Sequence, residues 1–368
     1  MDRIVRGVVV NILFLESDLL EEYNCSNYRV MMPARALRRA GQCVEILRLE
    51  EWVARTDNAN KIADRADIII LQRNLFAAVL STVMYWRAQG KTIVADLDDA
   101  YKYMTMGTGS PSYDFWINGI VEHQDTHKPV NLLPHPLDCL DWGVKLCGSM
   151  SSPSKLICED WKSYVPTYHM PNYLESKVYK WHDIYKDAGQ IYIGWGGSAT
   201  HLGSWRNSGI KKALWDISKK HKNTTLVVTG DPRVKAVIDF QESRRVVLGW
   251  IPHILFSERL SRFDIGLIPL EGEYDRRRSW LKSAEYTLMG IPWVGSDLDP
   301  NRELQTGTLV ENTEEAWFTA LDDCITNLVE RKAQMKELQS TWVSKIDIDD
   351  NVNNIIKVYE TIIQKDKK

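Results

Sequence analysis

Three consecutive arginines, Arg276, Arg277 and Arg278, then Ser279, Lys282 and Glu285, form the stretch of this chain best suited to hold an anion. They follow a short apolar run, residues 265–270, whose length and Pro269 suit a buried strand of a parallel sheet. Ser279 is placed to cap a helix running to about Met289, stopped by Gly290 and by Pro292. At about 100° per residue, Leu281, Ala284 and Leu288 form its apolar stripe, and Lys282 and Glu285 fall on the flank, about 60° apart. A cation and a carboxylate at the edge of a core, near a helix start fronted by arginines, suit an anionic ligand carrying hydroxyl groups. The same residues also suit a solvated surface, where a Lys/Glu pair at this spacing contributes about 0.2 to 0.5 kcal/mol.

A second group lies upstream. Gly194, Gly196 and Gly197 stand between an apolar strand, residues 191–195, and a helix marked by Ile210, Ala213, Leu214 and Ile217. Glycine lets a backbone turn sharply and come close to a phosphate. The spacing is not the dinucleotide fingerprint, and no downstream acid completes one. Asp98 and Asp99 close another strand, residues 92–95, and open an aperiodic stretch, 100–136, rich in Gly, Ser, Pro, His and aromatics. That stretch reads as a lid or contact loop. Within it His123 and His127 are four apart, a metal pair only if a helix forms there, and no third ligand has clear spacing; no metal is expected.

The elements that must position these groups alternate. Strands are expected at 8–15, 43–49, 67–71 and 92–95, with helices between them; one is capped by Asn27 and buries Val30, Ala34 and Leu37. Residues 137–146 read as a helix, and 150–173 as strand, helix, strand and turn. A charged run, LESKVYKWHDIYKDAG, is the candidate linker. Strands at 191–195, 226–229, 246–250, 265–270 and 309–310 restart the alternation, with a capping box at Asn312 and Glu315. The last helix carries Val352, Ile356, Tyr359 and Ile363 on one face. Alternation of this kind predicts parallel α/β sheets with right-handed crossovers and ligands beyond the carboxyl ends of the strands.

A length of 368 residues predicts two domains, and 44% apolar with 26% charged residues is ordinary for a soluble globular chain. A net charge of −3 gives no global pull toward nucleic acid. The six cysteines show no paired or zinc-type spacing and read as buried free thiols in a reducing, cytoplasmic setting. The amino-terminal apolar stretch is too short to span a bilayer, so no membrane span is expected.

The runs IGWGGSATHLGSW, VVTGD, VVLGWIPH, RLSRFDIGLIPLEGEYDRRRSWLKSAEYTLMGIPWVGSD and ENTEEAWFTALDDCI occur in the order and spacing of two-domain GT-B glycosyltransferases, and most resemble the retaining group called family 4. YRVMMPARALRRAG, ADLDDAY and the SSPSKL to MPNYL run extend the resemblance into the first half. It implies two Rossmann-like domains facing across a cleft: 1–175 for the acceptor, 176–345 for a nucleotide-sugar donor, and 346–368 as a helix returning to the first. The implied catalytic residues are Lys282, holding the donor diphosphate and steadying charge on the leaving group, and Glu285, accepting from ribose hydroxyls. Gly196, Gly197, Ser198 and His201 would lie along the phosphates. Gly230, Asp231, Trp250 and Ile251 would border the nucleobase, and Arg278 and Ser279 would complete the donor site. Many members carry a second glutamate eight positions before the helix glutamate, where Arg277 stands here. Glu271 or Glu273 would substitute near the sugar, or an arginine would join the phosphate clamp. Asp98, Asp99 and His123 fall on the acceptor side.

The resemblance implies a metal-independent transferase, retaining the anomeric configuration and using a UDP- or GDP-sugar as co-substrate with no other cofactor. The acceptor is left open among a glycan, a lipid-linked glycan, a small molecule and a modified DNA base. Arg35, Arg38 and Arg39 favour the last, and the net acidity opposes it. A sugar nucleotide epimerase or isomerase on the same fold is the alternative from another class, with Asp98, Asp99 and Glu271 as candidate acid/base groups.

Overall fold

A computed structural model describes residues 9–18, 25–105, 111–123 and 125–367. Their described parts form two compact units: Met1–Asp98, Leu133–Tyr173 and Ile348–Lys368 in the first, Asp99–Leu132 and Leu174–Asp347 in the second. The aperiodic 99–132 stretch therefore counts with the second unit, although it interrupts the first in chain order.

In the first unit, β1 (Asn11–Glu16), β2 (Cys43–Arg48), β3 (Ile68–Gln72) and β4 (Thr92–Asp96) are all parallel. β3 and β4 are buried along their whole length, which is why they read as unbroken apolar runs. The chain then leaves for a hairpin in the second unit, β5 (Ile120–Glu122) and β6 (Pro129–Asn131), where sequence reading expected only loop. It returns as β7 (Met150–Ser152) and β8 (Thr167–His169), completing the order β2-β1-β3-β4-β7-β8. Val8, expected to open the first strand, lies outside the described residues.

The last helix, Ile348–Asp366, packs on the helix Met32–Arg39 of this unit. Tyr359 meets Phe14 edge-on at 6.4 Å, and Arg39 donates to Asp349 at 2.9 and 2.6 Å. Its buried stripe is Ile348, Val352, Ile355, Tyr359 and Ile362, so Ile356 and Ile363 sit at the edge and not at the centre as expected. Beneath it Arg29, buried, grips Asp96 with two bonds of 2.8 and 2.6 Å and also donates to the Met170 carbonyl and Asn172. Burial opposes the charge on Arg29, yet Asp96 holds its pKa above the ordinary value.

The second unit holds β9 (Ile191–Gly197), β10 (Thr224–Gly230), β11 (Arg245–Leu248), β12 (Ile265–Ile268), β13 (Trp293–Ser296) and β14 (Thr308–Val310), again all parallel. Their order is β11-β10-β9-β12-β13-β14. The direction of winding reverses between β9 and β12, and at such a switch point the loops leaving the two strands diverge and open a crevice. Trp195, Trp205, Leu214, Ile217 and Trp317 pack this unit's core. The helix cap expected at Asn312 falls instead on Thr313, whose hydroxyl accepts from Ala316 N–H, because Asn312 is turned back to the Leu270 carbonyl. Among the described residues no helix is long and apolar enough to cross a membrane. Four of the cysteines are buried as expected, whereas Cys25 is half-buried and Cys43, at the start of edge strand β2, is exposed.

Candidate functional site

The switch point of the second sheet gathers the residues that the sequence singled out on separate segments. Two glycines of β9 and β10 make its floor tight. A side chain on Gly194 would drive its Cβ to 1.9 Å from the Phe263 ring, so this glycine answers to packing. Gly230 has φ +109, a conformation natural to glycine, and a Cβ there would lie 2.3 Å from the Gly197 carbonyl oxygen. That same carbonyl accepts from Asp231 N–H at 3.0 Å, which locks the two loops together. Asp231 then turns back to Arg233, accepting from its backbone at 2.9 Å and its guanidinium at 3.0 and 2.7 Å.

Past Gly197 the chain runs through Ser198 into a short turn, Ala199–His201, and the helix Leu202–Asn207. The Ser198 and Thr200 hydroxyls share a bond of 2.8 Å, and Thr200 accepts from Arg278 at 2.9 Å. From β12 the chain passes Glu271 into a helix that sequence reading missed, Gly272–Arg276, and then a turn. This turn absorbs Ser279. The next helix, Leu281–Leu288, begins after Trp280, which occupies the cap position without a side-chain cap bond, so Ser279 is not the expected N-cap. That helix is also buried more widely than a single stripe: Glu285 is only 4% exposed, not at the rim.

The three arginines take different roles. Arg276 bonds to Asp299 at 2.8 Å and to Glu273 at 3.0 Å. Arg277 also bonds to Glu273 and lies over the Tyr103 ring, 3.8 Å from its centroid. Arg278 turns inward, bonding to Asp275 at 2.6 Å with Asp99 at 3.7 Å. Burial opposes its charge, but Tyr274, Asp275 and Asp99 hold its pKa above the ordinary arginine value. Asp275, buried, also accepts from the Glu271 backbone at 2.8 Å and from Ser204, and so ties both switch-point loops to Arg278.

Lys282 differs from all three. Its ammonium meets His201 Nε2 at 3.1 Å and lies 5.9 Å from the centroid of the Trp195 ring. Among the described residues no carboxylate comes within ion-pair distance of it. Burial, reinforced by the Arg278 charge, pulls its pKa down to about 8, while Glu285, Asp275 and Asp99 favour the charged form. His201 is itself buried; burial, then Arg278 and Lys282, push its pKa well below the usual histidine value, so the imidazole is neutral. The site thus presents a half-buried cation with no counter-ion, an arrangement that attracts an anion.

Glu285 accepts from the Tyr179 hydroxyl at 3.1 Å, and that hydroxyl also lies 3.4 Å from His253 Nε2. Sequence reading missed Tyr179 and Asp275. The i, i+3 spacing of Asp275 and Arg278 was a usable signal, whereas nothing in the charged run around Tyr179 marked it. Of the two glutamates expected near a sugar, Glu273 is engaged by Arg276 and Arg277, while the Glu271 carboxylate has no hydrogen-bond or ion-pair partner among the described residues. Trp250, 49% exposed, and Ile251 follow β11. Asp98 counts with the first unit and faces Arg73 at 3.4 Å. His123 sits in the β5–β6 turn, its Nδ1 accepting from Asp125 and Thr126 N–H, while His127 pairs with Glu122. Among the described residues of this segment no helix aligns the two rings.

Two six-stranded parallel Rossmann-like units in one chain define the GT-B fold. Solved structures with this fold include HepE of Anabaena in complex with UDP and glucose, at 13% identity, 96% coverage of this chain and 99% of that one, and a TM-score of 0.61. Sucrose-phosphate synthase of Thermosynechococcus elongatus is similar at 12% identity, 97% and 100% coverage and a TM-score of 0.61. A putative UDP-N-acetylglucosamine 2-epimerase of Listeria monocytogenes is similar at 13% identity, 97% and 98% coverage and a TM-score of 0.53. No family model and no curated protein matches the chain.

Proposed function

We propose that this protein is a glycosyltransferase whose second unit binds a nucleoside diphosphate sugar and whose first unit binds the acceptor. The observation that carries this reading is Lys282, a cation without a counter-ion, set at the switch point where doubly wound sheets bind nucleotides. A diphosphate placed there meets the Lys282 ammonium, the Ser198 hydroxyl and the tight backbone at Gly196 and Gly197. Glu285 accepts from the ribose hydroxyls, Gly230, Trp250 and Ile251 border the base, and Glu271 meets hydroxyls of the sugar. HepE, one bearer of this fold, is crystallised with UDP, which supports a uridine nucleotide as the first donor to test.

In the reaction, the bond between the sugar's anomeric carbon and the diphosphate oxygen breaks, and its electron pair leaves with the diphosphate. The acceptor hydroxyl forms the new bond and loses its proton to the departing phosphate. Attack on the face that the diphosphate leaves retains the configuration. Lys282 lowers the barrier by meeting charge that grows on the leaving group, and no metal is assigned that task.

The reading is tested by a thermal-shift panel of UDP, GDP, ADP and their glucose conjugates. One base should raise the melting temperature, since a ligand at about 100 times its dissociation constant adds about 2.7 kcal/mol. A flat response to every compound would refute it. The likeness to the epimerase, with Asp99 beside Arg278, supports a second reading in which the sugar nucleotide itself is converted. Turnover of UDP-N-acetylglucosamine with no acceptor present would favour that reading over transfer.

A further inference from the structure

Every arginine of the 276–278 run is matched by a carboxylate, whereas Lys282 is matched by a ring nitrogen. His201 is 4% exposed, and among the described residues its Nδ1 has no hydrogen-bond partner. With Lys282 donating to Nε2, the single ring proton resides on Nδ1, and the ring adds no charge to the site. We infer that His201 is the positioning residue of Lys282, a neutral acceptor that aims the ammonium at the ligand without cancelling its charge. This rests on the reading of Lys282 as the diphosphate-binding cation.

The surroundings exclude the two charged alternatives. A protonated His201 would be a third buried cation against Arg278 and Lys282, from the turn and the helix that pack on it. A carboxylate in its place would form the ion pair that the site lacks and would leave the ammonium neutralised before any ligand arrived. Glu285 on the same helix, Asp275 from the preceding helix and Asp99 favour the charged ammonium from further off, and Trp195 meets the imidazole edge-on at 5.7 Å. The positive charge of Lys282 is therefore present below pH of about 8 and lost above it. Diphosphate affinity should accordingly fall by up to about tenfold per pH unit beyond that point, as expected for one linked proton.

His201→Gln and His201→Glu are nearly isosteric, so a role in packing alone would leave the two variants alike. Titration of Lys282 Nζ is followed by 15N NMR on lysine-labelled protein, with the signal assigned by its loss in Lys282→Ala. UDP affinity is measured from pH 6 to 9.5 on the same samples. The glutamine variant should keep the Lys282 midpoint within about half a unit of the native one, and the glutamate variant should raise it by about one unit or more. At pH 7 the glutamate variant should bind UDP at least about tenfold more weakly than the glutamine variant. Equal Lys282 midpoints in the two variants would overturn the inference. If the midpoints separate as stated while native protein binds no nucleoside diphosphate, His201 remains the neutral partner that preserves the Lys282 charge, and the donor reading falls.

Discussion

Replacing Lys282 by alanine is expected to lower sugar transfer by about 10² to 10³, the range found when one preorganised donor to a developing anion is removed, or about 2.7 to 4 kcal/mol of barrier. Lys282 is the cation in the cluster with a neutral partner, so the charge it withdraws is not replaced by Arg278, which is committed to Asp275. Stability should move the other way. Folding lowers the Lys282 pKa from 10.5, so at pH 7 the charged form is disfavoured in the folded state, and that cost disappears as pH rises from about 8 toward 10.5. The alanine variant should therefore melt no lower than the native protein at pH 7 while losing activity. Initial rates and thermal melts on the same preparation decide this. Transfer within a few fold of native would remove Lys282 from the mechanism.

The second large effect concerns the first unit. Asp96→Ala is expected to cost about 3 to 5 kcal/mol, because it strands the Arg29 guanidinium with its charge unpaired in a buried site. The side chains of Arg29 and Asp96 are 4% and 3% exposed, and Ser151 adds a bond of 2.6 Å to the same carboxylate. Replacing both partners, Arg29→Met with Asp96→Leu, should recover most of the loss, since a buried pair exchanged for apolar groups is often nearly neutral. Urea unfolding of the two variants measures both. A single variant within about 1 kcal/mol of native would show that the pair is far less buried in solution, because the mechanism predicts a loss several times larger.

These two sites also show what the sequence could and could not disclose. The α/β alternation, the two sheets and the helix Leu281–Leu288 were legible because periodicity and punctuation by Gly290 and Pro292 are local properties. The strand order that puts β9 beside β12 is a tertiary outcome, and with it the meeting of His201 and Lys282, 81 positions apart. Asp98 and Asp99 read together at one strand end, yet Asp98 goes to Arg73 and Asp99 to the second unit beside Arg278, while Asp96 just before them joins the core pair. Direction along a strand end alternates and the chain then leaves the sheet, so adjacent residues separate. The helix caps fell one residue later than expected, on Trp280 and Thr313, and at Asn312 the reason is tertiary, since the Leu270 carbonyl claims its side chain. Arg277, read as the place of a missing acid, is explained by its ring partner Tyr103, supplied by a segment that sequence order assigned to the other half of the chain.

The central claim is that a nucleoside diphosphate binds at the β9–β12 switch point through Lys282. A crystal structure with the nucleoside diphosphate that gives the largest thermal shift tests it most directly. The account predicts diphosphate density within hydrogen-bond reach of Lys282 Nζ and Ser198, with a ribose hydroxyl on Glu285. Well-ordered nucleotide bound elsewhere, with Lys282 still seated on His201, would contradict it.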